Sequence, residues 1–339
     1  MPVTRRTAPS RTEPLRIGML HFAHFHSYDY ARHLARMPGV VLAGVADRDA
    51  SRARMAAEEL GAPFFPTSEA LLREKPDAVV VSSENVRHEE DVIAAAQAGV
   101  HVFCEKPIAT TLAGARRMIA ACKKARVILQ IAFPVRHAAP VQRARELVRA
   151  GSIGKVRGAS TTNRGMLHRT WFADPALSGG GAIMDHTVHV ADLLRWFLED
   201  EVVEVYAEAG RLIHRDLDCE DCGVLSMKFE KGTFATLDAS WSRLPGFPTA
   251  GDVKMRLWGE RGTLELDAFR QTVSVWGSTP RLEGWGGDCD RAMMADFVAT
   301  LRSGRAPQAT AHDAMKALEV AVAAYESVRS ERPVRLPLG

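Results

Sequence analysis

Val40-Val41-Leu42-Ala43-Gly44-Val45-Ala46-Asp47 is an unbroken apolar run, partly β-branched, that ends on an acid. A run so short and so apolar reads as a strand covered on both faces. Upstream, Leu15–Leu20 (LRIGML) is a second such run, and Ser27–Met37 between the two has helical spacing. Downstream, Ser51–Leu60 reads as a helix that stops at Gly61. Ala78–Ser82, Val100–Cys104 and Val127–Phe133 continue as strands, with helices predicted over His88–Ala98 and Thr111–Arg126. Apolar strands alternating with helices make βαβ units and a parallel sheet. Right-handed crossovers then place the loops at the strands' carboxyl ends around one crevice, where ligands bind.

Past Ala139 the texture changes. A helix is predicted over Pro140–Ala150, then a glycine-rich stretch, then a helix over Ala182–Leu198. Period-two alternation follows in Val202–Ala209, Cys222–Phe229, Thr233–Trp241, Lys254–Trp258 and Thr263–Ala268, and two helices, Asp290–Ser303 and Ala311–Ser330, close the chain. The expected α/β organisation is a flexible tail over 1–13, a Rossmann-type parallel-sheet domain over 14–136, and a C-terminal α+β domain over 137–339. The second domain's sheet is expected to be mainly antiparallel and open-faced. An open face needs cover, which predicts a homodimer or homotetramer.

Composition excludes several classes. With 339 residues and 46% hydrophobic content the chain can fill two cores. A net charge of +3, with no Lys/Arg-rich run past the first dozen residues, argues against nucleic acid. No apolar run approaches the roughly 20 residues of a membrane span. Five scattered cysteines do not form a disulfide framework, and the single Cys219-Glu220-Asp221-Cys222 lacks the second pair a zinc site needs. Arg5-Arg6 invites a secretion reading, but His21, His24 and His26 break the apolar stretch that should follow, so the chain is read as cytoplasmic.

The loop after Leu20 is where a dinucleotide fold carries GxGxxG. His21, Ala23 and His26 stand at the three glycine positions. Ala23 permits a fairly close approach to a pyrophosphate, whereas His21 and His26 lack glycine's backbone freedom. The helix start at Ser27 offers N–H groups to an anion, and the imidazoles of His24 and His26 can add donors. Asp47 lies where an acid bonds the adenosine ribose, which favours NAD; Arg48 beside it keeps NADP possible. On spacing alone Asp47 reads either as that acid or as a turn residue.

Two elements carry candidate chemistry. Glu105-Lys106-Pro107 ends the strand Val100–Cys104, so Lys106 can bond a substrate hydroxyl and steady a developing alkoxide; the tripeptide alone also reads as a salt-bridged strand end. Gly179-Gly180-Gly181 precedes Asp185, His189 and Asp192. Spacings of four and three put these side chains on one helix face, with a histidine to take a proton and carboxylates to orient it. Buried core polar groups are the alternative.

Together these residues resemble the Gfo/Idh/MocA family, the glucose–fructose oxidoreductase and inositol dehydrogenase family. The matching segments are Val102-Phe103-Cys104-Glu105-Lys106-Pro107, Gly179-Gly180-Gly181 with Asp185 and His189, Ala46-Asp47-Arg48, Gly151-Ser152-Ile153-Gly154 and Gly259–Leu266. The resemblance covers nearly everything from Leu15 onward. It implies an NAD(P)-dependent dehydrogenase acting on a hydroxyl-bearing carbon of a sugar, sugar derivative or cyclitol. Lys106, Asp185 and His189 would be the catalytic set, with His189 as base. Ser82, Ser83, Asn85 and His88 would lie beneath the nicotinamide ribose, with Glu105 beside the ring. Arg136 would contact cofactor or substrate, and Trp171 would offer an aromatic face to a sugar. His186-Thr187 departs from the family, which has glycine at the second position.

Three rivals stand beside this reading. A relative that keeps NAD bound could run redox-neutral elimination or glycoside cleavage with the same residues. The missing glycines suit a cofactor-free binding or sensor protein. His21, His24, His26, His168, His186 and His189 suggest a metal, but their spacings match no metal motif and none is expected.

Overall fold

The computed structural model describes residues 13–247, 249–270, 272–275, 281–284 and 287–339, with 272–275 and 281–284 described by backbone alone. Residues 1–12 of the expected tail lie outside the described residues. The chain forms two compact units: the chain up to Ala109 with Ala113–Ala132 and Asp290–His312, and Thr110–Leu112 with Phe133–Cys289 and Asp313–Gly339.

The first unit alternates β1 (Leu15–Leu20), α1 (Ser27–Ala35), β2 (Val40–Ala46), α2 (Ala50–Leu60), β3 (Phe64–Phe65), α3 (Ser68–Arg73), β4 (Ala78–Val81), α4 (His88–Gln97), β5 (His101–Cys104), α5 (Leu112–Ala125) and β6 (Leu129–Ile131). The sheet order is β3-β2-β1-β4-β5-β6 and every pairing is parallel. The order reverses between β1 and β4, the switch point outside which such sheets bind ligands. Helix boundaries follow local chemistry. Asp49 caps α2 by accepting from the Ser51 and Arg52 amides, and left-handed Gly61 ends it. Thr67 caps α3. β3 and α3 went unread in the sequence because two residues and six residues are too short to show a period.

The second unit holds α6 (Ala139–Arg149), β7 (Val156–Met166), α7 (Pro175–Ser178), α8 (Ala182–Leu198), β8 (Val202–Gly210), β9 (Cys222–Phe229), β10 (Phe234–Arg243), β11 (Lys254–Gly259) and β12 (Gly262–Asp267). Its sheet runs β12-β11-β7-β10-β9-β8, with Val334–Arg335 added beside β8. All pairings are antiparallel except β7 with β10. α8 packs on one face, against β7, β9 and β10. The other face exposes Val224 (57%) and Phe234 (53%).

Two expectations need correction. β7 was read as a glycine-rich stretch, yet it is a central strand. Its inward positions are Ala159, Thr161 and Asn163, too small and polar to show an apolar alternation. The cut at 136/137 also differs from the folded units. Met293, Met294, Phe297, Val298 and Leu301 of the Cys289–Ser303 helix join the core of the first unit, with Ile17, Met19 and Phe103. Amphipathic spacing identifies a helix but does not say which core its apolar stripe fills.

Candidate active site

In the first unit the carboxyl ends of β1, β2, β4 and β5 gather most of the expected residues. His21 follows β1 with φ +68°, the left-handed conformation usual for glycine. A histidine does hold the first glycine's backbone shape, contrary to the expectation, because its ring is anchored. Nε2 lies 3.3 Å from Asp91 Oδ1 and Nδ1 lies 3.6 Å from Asp47 Oδ1. Burial works against charge on this imidazole, but the two carboxylates outweigh it and raise the pKa.

Asp47 follows β2 as expected, and its side chain is fully buried. It accepts from the Phe22 amide (2.7 Å), the Asp49 amide (2.9 Å) and the Arg52 guanidinium (2.7 and 2.8 Å). Burial opposes its charge, yet hydrogen bonds from His21, Arg52 and Asp49 hold it well below the usual carboxylate range. Asp91, on the first turn of α4, accepts from Ser83 Oγ (2.6 Å) and from Arg48 (2.7 and 3.2 Å). Burial opposes its charge too, but His21, Arg48 and Ser83 lower its pKa to about 2. Asp91 and Arg52 were not singled out in the sequence. The acidic trio Glu89-Glu90-Asp91 at a helix start was the available signal.

A cavity of about 660 Å³ opens beside this network, lined in part by Asp47, Arg48, Thr67, Ser68 and Glu90. Acids and hydroxyls at the end of β2 suit the uncharged, hydroxyl-rich adenosine half of NAD. His24 and His26 lie 3.6 and 3.8 Å from Glu105 Oε1, which accepts from Tyr30 Oη at 2.6 Å. Ligand atoms of His24, His26 and Glu105 lie within 4.8 Å of one another, a grouping the spacing did not reveal.

Ser82, Ser83 and Asn85 follow β4 and are buried. His88, expected beneath the nicotinamide ribose, lies between two loops. It is fully buried, with Nδ1 2.8 Å from the Pro107 carbonyl and Nε2 3.2 Å from that of Ser83, and burial lowers its pKa. It ties the loop after β4 to the loop after β5. That second loop carries Lys106, 7% exposed, ahead of a cis Lys106-Pro107 bond.

In the second unit α8 presents Asp185 and His189. Asp185 Oδ2 accepts from Trp241 Nε1 at 3.0 Å and lies 3.2 Å from His186 Nε2. The His189 ring packs edge-on to Phe133, 6.1 Å between centroids. Asp192 and Arg136 pair with each other. Asp192 is fully buried and binds Arg136 through Nε (2.6 Å) and Nη2 (2.5 Å). Arg136, expected at cofactor or substrate, is a buried structural ion-pair partner stacked 5.0 Å over Trp196. Trp171 stacks on Phe172 at 4.0 Å.

The three glycines were expected to admit a ligand. Instead they admit protein. A Cβ on Gly180 would sit 2.1 Å from Tyr325 Oη, and one on Gly181 1.9 Å from the Glu220 carbonyl oxygen. Glu220 accepts from the Ile183 amide (2.9 Å), the Gly181 amide (3.1 Å) and Tyr325 Oη (2.8 Å), closing the amino end of α8. Burial raises the Glu220 pKa despite these bonds.

Comparison with known proteins bears on both units. A family model described as an oxidoreductase family with an NAD-binding Rossmann fold matches residues 15–133, and the GFO/IDH/MocA C-terminal domain matches 141–265. Myo-inositol 2-dehydrogenase of Thermotoga maritima is 30% identical, covering 95% of this chain and 98% of that protein. Inositol 2-dehydrogenase 3 of Saccharopolyspora erythraea is 29% identical, covering 91% and 92%. The crystal structure of GenD2 from gentamicin A biosynthesis, in complex with NAD, superposes with a TM-score of 0.89 at 25% identity over 98% of this chain and 99% of that one.

Proposed function

This chain belongs to the Gfo/Idh/MocA oxidoreductase family, and from that premise we propose that it transfers a hydride between NAD and a hydroxyl-bearing carbon of a sugar, sugar derivative or cyclitol. The observation that carries the reading is the retention of Lys106 at the carboxyl end of β5 together with Asp185 and His189 on one face of α8, in a chain whose relatives include inositol dehydrogenases. NAD, when bound, would supply the hydride acceptor. The residues supply the rest. His189 takes the hydroxyl proton as general base. The Lys106 ammonium donates to the oxygen that becomes a carbonyl. Asp185, fixed by Trp241 and His186, bonds a neighbouring hydroxyl.

The cofactor would lie along the loop from Ala23 to His26, with Asp47 and Arg48 at its adenosine end and Ser82, Ser83, Asn85 and Glu105 toward the nicotinamide. Asp47 would act chiefly by shaping the loop, since its oxygens already accept four donors. Trp171 would meet the substrate. Two further features belong to the reading. The exposed Val224 and Phe234 support a homodimer or homotetramer through the open sheet face. Five free cysteines support a cytoplasmic location. No helix among the described residues is long and apolar enough to cross a membrane.

The test is purified chain with excess NAD+ and a panel of cyclitols and aldoses beginning with myo-inositol. NADH accumulation is expected. Turnover of a sugar without NADH would replace the dehydrogenase reading with the redox-neutral one. Lys106→Ala and His189→Ala are each expected to lower turnover by about 10²–10⁴-fold with an unchanged melting profile. Rates like the wild type in either variant would remove that residue from the mechanism.

A further inference from the structure

The cavity at the end of β2 carries four carboxylates (Asp47, Glu69, Glu90 and Asp91) against two guanidiniums, Arg48 and Arg87. Arg48 is the residue that would meet a phosphate on the adenosine ribose, since it follows Asp47 directly. Its guanidinium is already committed. Nη2 donates to Asp91 Oδ1 at 2.7 Å and to Glu90 Oε1 at 2.5 Å, and Nη1 donates to Asp91 Oδ2 at 3.2 Å. Arg87 Nη1 also reaches Glu90, at 3.4 Å. Both cations of the cavity therefore face carboxylates from the first turn of α4.

On the NAD reading above, we propose that Glu90 and Asp91 sequester Arg48 and make the cavity select NAD over NADP. A 2′-phosphate would have to enter a cavity with an excess of negative charge and break the Arg48 pairs to gain a cation. A ribose hydroxyl meets no such barrier. Selectivity in this chain thus comes from the carboxylates of α4. Asp47 itself is taken up with Phe22, Asp49 and Arg52. An arginine after the β2 acid does not signal NADP when a carboxylate pair holds it.

The experiment is isothermal titration of NAD+ and NADP+ into the full chain, its Glu90→Gln and Arg48→Ala variants, and the double variant. Glu90 is half-exposed and leaves His21 untouched, so its loss spares the loop that Asp91 holds. The wild type is expected to bind NAD+ at least about tenfold more tightly than NADP+. Glu90→Gln should narrow that ratio by about fivefold. Adding Arg48→Ala should cancel the narrowing, because the freed cation is gone. An unchanged ratio in Glu90→Gln, or a narrowing that persists without Arg48, would overturn the proposal. Equal wild-type affinities would also overturn it and leave the NAD reading standing. Failure to bind either nucleotide would overturn both.

Discussion

The loop after β1 and the loop before α8 solve the same problem by opposite means. Each must bring the chain sharply round at an element boundary. The first has lost the expected glycines, and the side chain of His21 is pinned by Asp47 and Asp91 in a left-handed backbone conformation. The second keeps three glycines, and Thr110, Tyr325 and Glu220 fill the space their missing Cβ atoms leave. One loop is held by charge, the other by fit. The lesson is that a glycine fingerprint records room and conformation, and either can be supplied differently.

Gly181→Ala should break the fitted loop most severely, because its new Cβ meets backbone that cannot rotate away. We expect a loss of about 4 kcal/mol in unfolding free energy, measured by denaturant titration. A tolerated alanine would show that the loop has slack. Asp91→Asn removes the charged acceptor common to His21, Arg48 and Ser83, and about 2 kcal/mol should go with it. If stability held, charge would not be what fixes the first loop. Tyr325→Phe deletes one donor to Glu220 and one acceptor for the Gly181 and Met184 amides, with an expected loss of about 1 kcal/mol.

The smallest effect separates the two loops most cleanly. His21→Gly relieves a strained backbone while losing the imidazole contacts, so its net stability should stay within about 1 kcal/mol of wild type. The pH dependence should change instead. The folded pKa of His21 is raised, so its contribution is complete below the unfolded value near 6.5 and fades as pH rises through the folded value. Asp91, with its pKa lowered to about 2, contributes above the unfolded value and fades as pH falls toward that figure. Raising the pH from about 6 to about 8 should therefore cost the wild type roughly 2 °C of melting temperature that His21→Gly does not lose. A parallel decline in both proteins would detach the first loop from its imidazole.

The parallel sheet was legible because β1, β2, β4 and β5 are buried along most of their length and are therefore mostly apolar. β7 was not, since its inward side chains are a mixture of small and polar groups. At the site, Lys106, Asp185 and His189 could be read from motif and helical spacing. The protein partners of His88 and Arg136 were not legible, because a polar residue near a crevice has the same spacing whether it faces a ligand or a carbonyl beneath it. Asp91, Trp241, Glu220 and Tyr325 each have a partner 56 to 144 residues away in sequence, and no local pattern encodes such partners.

The helix over Cys289–Ser303 has a consequence for how the protein is made. Phe297 lies against Phe103, 5.3 Å between ring centroids, so the nucleotide unit draws a wall of its core from nearly two hundred residues downstream. On the ribosome, the six parallel strands emerge well before that wall is synthesised. They must wait, with apolar surface open to chaperones, until the second unit has been translated. An excised fragment ending near residue 133 would carry the same exposed surface permanently, which makes it a poor candidate for autonomous expression.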